Sequence, residues 1–250
     1  MAGRRTTRTK AIVLDHRAQL GEKDLILTLL TEDGERVDAV AKGALKPGGR
    51  LAARVELFCE TDFLLAQGRS LSIVTEASVV NPHAGLRGDL SRVSAASCVC
   101  EVARLTCFED VGDPYLYAIC SRALTACEQA PDQERLDLVV AAYAFKVTAH
   151  GGWRPELRRC TLCGDEDVSF FSPKAGGMLC SSCAKDVAGA VRMGPSGRDR
   201  LQSLIKSTFD KILGMEADVG TTTELVSLAH VWCATHLDAR LRTFEFMLSL

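Results

Sequence analysis

The stretch Asp24-Leu-Ile-Leu-Thr-Leu-Leu-Thr-Glu-Asp-Gly-Glu-Arg-Val-Asp-Ala-Val-Ala-Lys42 decides how the first third of the chain is read. Leu25, Leu27 and Leu29 alternate with Ile26, Thr28 and Leu30, which is the two-residue period of a strand. Asp33-Gly34 is a hairpin signal, and Arg36 to Lys42 supplies the returning strand. Upstream, Lys10 to Leu14 is a further strand candidate. Downstream, Lys46-Pro-Gly-Gly49 marks a loop, and strands resume at 55–66 and 71–80 around a turn at Gln67-Gly68.

Five short strands in about 70 residues, with no long helix between them, suit a small closed barrel, because closure removes exposed edges. An OB-fold is the five-stranded candidate, and an SH3-like barrel is the alternative that strand counting leaves open.

Asn81-Pro82 breaks the strand pattern, and a helical period takes over from about residue 89. Val93, Ala96, Cys100, Ala103 and Cys107 form one stripe. Leu116, Cys120, Leu124 and Cys127 form a second after Asp113-Pro114, and Leu136, Val139, Tyr143 and Val147 a third that ends at Gly151-Gly152. Helices return after Pro195-Ser196 and over about 221–249, where Leu225, Leu228 and Trp232 run on into Leu237, Leu241, Phe244 and Leu248. The fold class is therefore α+β and multidomain. A barrel domain spans 1–80, an all-α domain spans 81–155 and 186–250, and a cysteine module at 156–185 is inserted into the helices.

In that module Cys160-Thr-Leu-Cys163 and Cys180-Ser-Ser-Cys183 are two Cys-x-x-Cys pairs with 16 residues between them, a zinc-site spacing. Two intervening residues let a tight turn aim both sulfurs at one point, and Gly164 fits a turn needing positive φ. Val168 to Phe171 and Gly177 to Leu179 read as short strands joined by a turn at 172–177, the outline of a zinc ribbon. A redox Cys-x-x-Cys normally occurs singly near a βαβ pattern, which this chain lacks. Four sulfurs fill the zinc shell, so one structural Zn2+ is expected and no catalytic one. Of the other seven cysteines, Cys100, Cys107, Cys120 and Cys127 lie on apolar stripes and read as core, while Cys59, Cys98 and Cys233 carry no clear signal.

The net charge of −2 argues against coating nucleic acid by bulk charge but leaves room for local basic patches. Arg36, Lys42, Lys46, Arg50 and Arg54 face one acid, Asp38, within 36–54, and are the candidate DNA contacts. Arg4, Arg5, Arg8 and Lys10 add a basic N-terminal tail, and Arg154, Arg158, Arg159 and Lys174 surround the cysteine module. Phe58 and Phe63 are the main barrel aromatics for base stacking. No run approaches the ~18 apolar residues of a membrane helix, and no apolar core after the basic tail suggests a signal peptide, so a cytoplasmic protein is expected. Phosphate-loop, dinucleotide, nucleophile-elbow and His-Glu-x-x-His motifs are all missing, and the five histidines are scattered, so a binding protein is expected rather than an enzyme.

Several segments, in order, resemble the bacterial recombination mediator family RecO. They are Lys10 to Leu14 with Gly21 to Thr31, Ala39 to Pro47, Cys160 to Gly164, Phe171-Ser-Pro-Lys-Ala-Gly-Gly177 leading into Cys180 to Cys183, and Leu241 to Leu250. The resemblance implies an OB-fold, a helical domain and a zinc module, with the four cysteines placing the chain among the zinc-containing members. It also implies binding of single- and double-stranded DNA, strand annealing, and partnership with RecR and the C-terminal tail of SSB in loading RecA, in the cytoplasm at the nucleoid. The SSB tail is expected in a basic-rimmed apolar pocket of the helical domain. A zinc-ribbon adaptor that binds only proteins is the competing expectation.

Overall fold

The structure, a computed structural model, describes residues 6–18, 23–46, 49, 51–216 and 218–250. Strands β1 (Thr6–Ala18), β2 (Leu25–Thr31), β3 (Arg36–Ala41), β4 (Glu60–Ala66) and β5 (Ser72–Asn81) close into a barrel in the order β1-β2-β3-β5-β4. β1 is long because it serves two partners. Its first part, Thr6 to Ile12, pairs with β4, and Ala11 to Ala18 pairs with β2, with a bulge between Val13 and Asp15. β3 and β5 meet in parallel at Ala39–Ser72 and Val40–Ile73. That order is the OB topology, since an SH3-like meander would keep strands in chain order. Leu25, Leu27 and Leu29 point inward against Val13, Phe63, Leu65 and Val74, as the period-two reading requires.

Two details depart from the sequence reading. β4 begins at Glu60, not at 55, because Ala52–Arg54 forms a short 3-10 turn and Phe58 takes a φ of 73° that ends extended pairing. Phe58 and Phe63 are 2% and 0% exposed. Phe63 packs in the barrel core, Phe58 is buried as well, and neither offers a face to a base. Pro47, Gly48 and Arg50 lie outside the described residues, as do Arg4 and Arg5.

Helices α1 (Leu90–Thr106) and α2 (Pro114–Gln129) belong to the same compact unit as the barrel, Met1–Gln129. Asp89 caps α1 by accepting from the Arg92 N–H at 2.9 Å. The loop after α1 covers the β2–β3 hairpin: the Arg36 N–H donates to the Phe108 carbonyl at 3.0 Å, and Gly34, at φ 84°, leaves no room for a Cβ against Asp113.

The second unit, Ala130–Leu250, is built on α3 (Gln133–His150), which packs against α6 (Val219–His236). The ribbon strands β6 (Phe170–Ser172), β7 (Gly177–Leu179) and β8 (Val191–Arg192) follow α3 and form one sheet in the order β7-β6-β8. α4 (Pro195–Lys206) and α5 (Phe209–Leu213) precede α6, and α7 (Arg242–Met247) ends the chain. The apolar stripe over 221–249 is thus two helices rather than one. α6 ends at His236, and Asp238 adopts a left-handed φ of 47°, a conformation that Asp tolerates and that stops a helix. No helix among the described residues is long and apolar enough to cross a membrane.

Candidate metal centre and barrel surface

The four cysteines predicted as ligands are brought together. Each pair sits on a tight knuckle: the Gly164 N–H donates to the Cys160 carbonyl at 2.9 Å, and the Ala184 N–H to the Cys180 carbonyl at 3.0 Å. Gly164 has the expected positive φ, 81°. The β6–β7 hairpin then lays one knuckle against the other, fastened by the Thr161 N–H on the Met178 carbonyl at 3.0 Å. All four Sγ atoms lie within 4.8 Å of one another. Cys163 and Cys180 Sγ are 3.7 Å apart, far beyond a disulfide bond. A tetrahedral site with ~2.3 Å zinc–sulfur bonds has edges of about 3.8 Å, so the spacing suits such an ion.

The chemistry of the donor set agrees. Burial opposes a Cys160 thiolate, but backbone hydrogen bonds from Cys180, Cys163 and Leu162 outweigh it and bring the thiol down to about 6. Cys183 moves the other way, pushed up to about 12 by hydrogen bonding to Cys180 and Cys163. Crowded sulfurs resist ionising together, and a cation is what lets all four do so. With every ligand position supplied by sulfur, such a site braces the ribbon and leaves no position for a catalytic water.

The other seven cysteines are buried. Burial pushes the Cys107 thiol up to about 12 and raises that of Cys127 further, so these are packing groups and not reactive thiols. Cys59, Cys98 and Cys233, which the sequence left without a role, are packing groups as well.

The basic residues of the barrel fall into two sets. Lys42 and Lys46 are exposed beyond the end of β3, with no ion pair among the described residues. Their loop is fixed by the Asp24 carboxylate, which accepts from the Gly43 N–H at 2.6 Å, and by the Leu45 N–H on the Lys23 carbonyl at 3.0 Å. This contact places the exposed Lys23 beside them, a cation that the 36–54 window could not include. Arg36 and Arg54 are tied into the fold instead. Arg36 pairs with Glu109 at 3.1 Å, and Arg54 donates to the Ala77 carbonyl at 3.0 Å. Arg8 is engaged too, with Asp62 at 3.0 Å. A notch of about 180 Å³ on the outer face of β1–β3 adds Arg17 and Arg104 to Arg36, with His16, Asp15 and Asp38. Arg104 lies on α1, so only the packing reveals it.

The histidines hide one feature that scatter in the sequence could not show. His83 is 1% exposed and sits at a left-handed φ of 41°. Its Nε2 lies 3.1 Å from Glu60 Oε1 and its Nδ1 3.1 Å from Glu128 Oε2. Two carboxylate acceptors require both ring nitrogens to donate, so the ring is an imidazolium. Burial disfavours that charge, but the bonds to Glu60 and Glu128 outweigh it and raise the His83 pKa. Glu60 is likewise pushed up by burial, and then drawn below its ordinary value by His83, Ser121 and Tyr117. The network joins β4, the segment after β5 and α2 in one hydrogen-bonded clamp.

A closed OB barrel followed by helices and a ribbon with four convergent thiols defines a class of multidomain α+β proteins. The Recombination protein O N-terminal profile matches residues 1–83, and the Recombination protein O C-terminal profile matches 87–244. Similar chains include a DNA repair protein RecO of Bifidobacterium adolescentis, 31% identical over 236 residues, with 92% of this chain and 94% of the relative covered. A DNA repair protein RecO of a Nocardioides species is 33% identical over 249 residues, covering 96% and 98%. The RecO of Bifidobacterium animalis subsp. lactis is 34% identical over 207 residues, covering 82% and 84%. The chain belongs to the RecO family of DNA repair proteins.

Proposed function

We propose that the protein binds single- and double-stranded DNA through its barrel domain, residues 1–80, and anneals complementary strands without covalent chemistry. The observation that carries this reading is a closed OB barrel presenting Lys42 and Lys46 at one end with no ion pair among the described residues, in a family of DNA repair proteins. Oligonucleotides commonly lie on the OB face formed by strands 2 and 3, and the arginine-lined notch occupies that region. Lys42, Lys46 and Arg50 are the first contacts. Arg54 and Arg36 are weaker ones, because each must leave a partner to reach a phosphate. Cations that hold two phosphate backbones lower the repulsion between strands, and annealing speeds up. With the barrel's phenylalanines buried, affinity is electrostatic, tolerant of sequence and steeply salt-dependent.

The metal is Zn2+, held by Cys160, Cys163, Cys180 and Cys183, and its role is structural. The ribbon at 156–185 and the helices at 81–155 and 186–250 serve protein partners: RecR, the acidic C-terminal tail of SSB, and through them RecA. A groove of about 310 Å³ lined by Leu138, Leu204, Met215 and Leu225 offers an apolar floor, but Asp199 and Glu216 flank Arg200 there, so it lacks the basic rim that an acidic tail needs. The protein acts in the cytoplasm at the nucleoid. Annealing of SSB-coated complementary oligonucleotides, followed with and without the protein, tests the central claim. Acceleration that fades with added salt is expected, and an unchanged rate overturns it.

One observation favours a second reading. Arg8, Arg36 and Arg54 are spoken for within the fold, which leaves the barrel less free positive charge than its sequence suggests. A zinc-ribbon adaptor would bind SSB or RecR and show no shift of labelled DNA even at low salt.

A further inference from the structure

Trp153 follows α3 and is 50% exposed, a large aromatic surface for a soluble face. Its position is fixed. The Trp153 N–H donates to the Thr148 carbonyl at 2.8 Å, and Gly152 before it turns the chain at φ 97°. The indole stacks on His236, with centroids 4.7 Å apart and planes 23° from parallel. His236 rests on the buried Trp232 at 4.2 Å, and Trp232 contacts Phe171 at 5.6 Å and Phe145 at 5.8 Å. The indole is thus the outer member of an aromatic column rooted in the core. The imidazole covers one face, so the exposure belongs to the other.

Cations gather around this ring. Arg154 is its neighbour in the chain. The Glu156 N–H donates to the Gly176 carbonyl at 3.1 Å and the Met178 N–H to the Glu156 carbonyl at 2.8 Å, which lays the segment bearing Arg158 and Arg159 beside the turn bearing Lys174. The Pro173 backbone lies within electrostatic reach of the His236 ring, which brings the turn bearing Lys174 next to the column. Arg154, Arg158 and Lys174 are exposed and make no side-chain ion pair among the described residues, and Arg159 shares Glu156 at 3.8 Å. The acidic run Asp165-Glu-Asp167 belongs to the first cysteine knuckle and repels a polyanion there, leaving the Trp153 end as the favourable one.

We propose that Trp153, with Arg154, Arg158, Arg159 and Lys174, is a second contact for single-stranded nucleic acid, on the unit that carries the metal module. The inference rests on the DNA-binding reading above but on different residues. A pre-ordered indole face accepts any unstacked base, and the surrounding cations hold the phosphates on either side. Duplex bases are already stacked and cannot use such a face. The site therefore gives the protein a preference for open strands that the phosphate-reading barrel alone lacks.

The chain has two tryptophans, and Trp232 is 1% exposed, so quenching of the exposed emission reports on Trp153. The full-length protein is titrated with a thymidine oligonucleotide, an abasic oligomer of equal length and an acidic peptide. Quenching by the thymidine oligomer and not by the abasic one is expected. Trp153→Ala should weaken oligonucleotide binding by about fivefold to a hundredfold. Trp153→Phe, which keeps a stacking ring and guards against misfolding, should bind nearly as well while losing the quench. Unchanged binding by Trp153→Ala, equal quenching by the abasic oligomer, or quenching by the acidic peptide alone each overturns the proposal, the last in favour of a protein partner. If a Lys42→Ala, Lys46→Ala variant loses DNA while Trp153→Ala does not, the barrel reading stands and this one fails. The reverse result upholds this site without the barrel.

Discussion

The barrel and the ribbon are both small β structures, but they resist unfolding by different means. In the barrel every strand has two neighbours, and Leu27, Leu29, Phe63 and Val74 fill the interior. The ribbon has strands of three, three and two residues and buries mainly Phe171, Met178 and Leu179. Ordering each residue costs roughly 1–2 kcal/mol, and so short a sheet buries too little apolar surface to offset it. Four convergent cysteines that could hold a metal ion stand where a core would be, and metal–thiolate bonds contribute folding energy at such sites. The comparison sets apolar closure, where the chain has strands to spare, against four convergent thiols, where it has not.

The largest test of this contrast strips the metal. Cys160→Ser with Cys163→Ser, or a strong chelator, should release one zinc per chain and remove binding energy on the order of 10 kcal/mol. Hydrogen exchange should then speed up across 156–192 while amides of β2 and β3 stay protected. Unaltered exchange in the ribbon after metal loss would break the comparison.

Phe63→Ala is the converse experiment. Truncating a fully buried barrel ring should cost about 3–5 kcal/mol in a urea melt and leave zinc content unchanged.

The His83 clamp sharpens the picture, because it sets a buried charge cluster beside the barrel's apolar core. His83→Ala should cost about 3–5 kcal/mol by leaving Glu60 buried without its counter-charge. The pH dependence follows from the shifts. His83 has a raised pKa, so its contribution is full below its ordinary 6.5 and fades as pH climbs through the raised value. Glu60 has a lowered pKa, so its contribution is present above its ordinary 4.5 and fades as pH falls through the lowered value. Urea midpoints should therefore fall as pH rises above about 6.5 in the wild type, with a flatter alkaline arm in His83→Ala.

The smallest effect on stability comes from the surface. Lys42→Ala with Lys46→Ala should leave the melt within about 0.5 kcal/mol, because neither lysine has an ion-pair partner to lose among the described residues. Binding should weaken alike on all DNA sequences, and the salt slope should drop by about one per lysine. A large loss of stability would show that the lysines belong to the fold.

Much of this was legible in the sequence. The alternation at Leu25 to Leu29 marked the inward face of β2, the two Cys-x-x-Cys pairs marked the metal site, and Gly164 marked its turn. Each is a local pattern, written within a few residues. The failures share a cause as well. Phe58 and Phe63 looked available for stacking, but the barrel closes over them. The apolar stripe over 221–249 looked continuous, but a stripe does not register one backbone angle, and Asp238 turns the chain.

The sequence by itself determined the five-stranded barrel, the helices that follow it, the four-cysteine ligand set and the family, because strand period and ligand spacing act between near neighbours. Tertiary structure alone decided which charges are free. Arg36 meets Glu109 across 73 positions, His83 meets Glu60 and Glu128 across 23 and 45, and Trp153 finds His236 at the far end of α6. A charge or a ring has no fixed partner along the chain. Its role is set by whichever group the closed fold brings within about 3–5 Å, and no local pattern encodes that meeting.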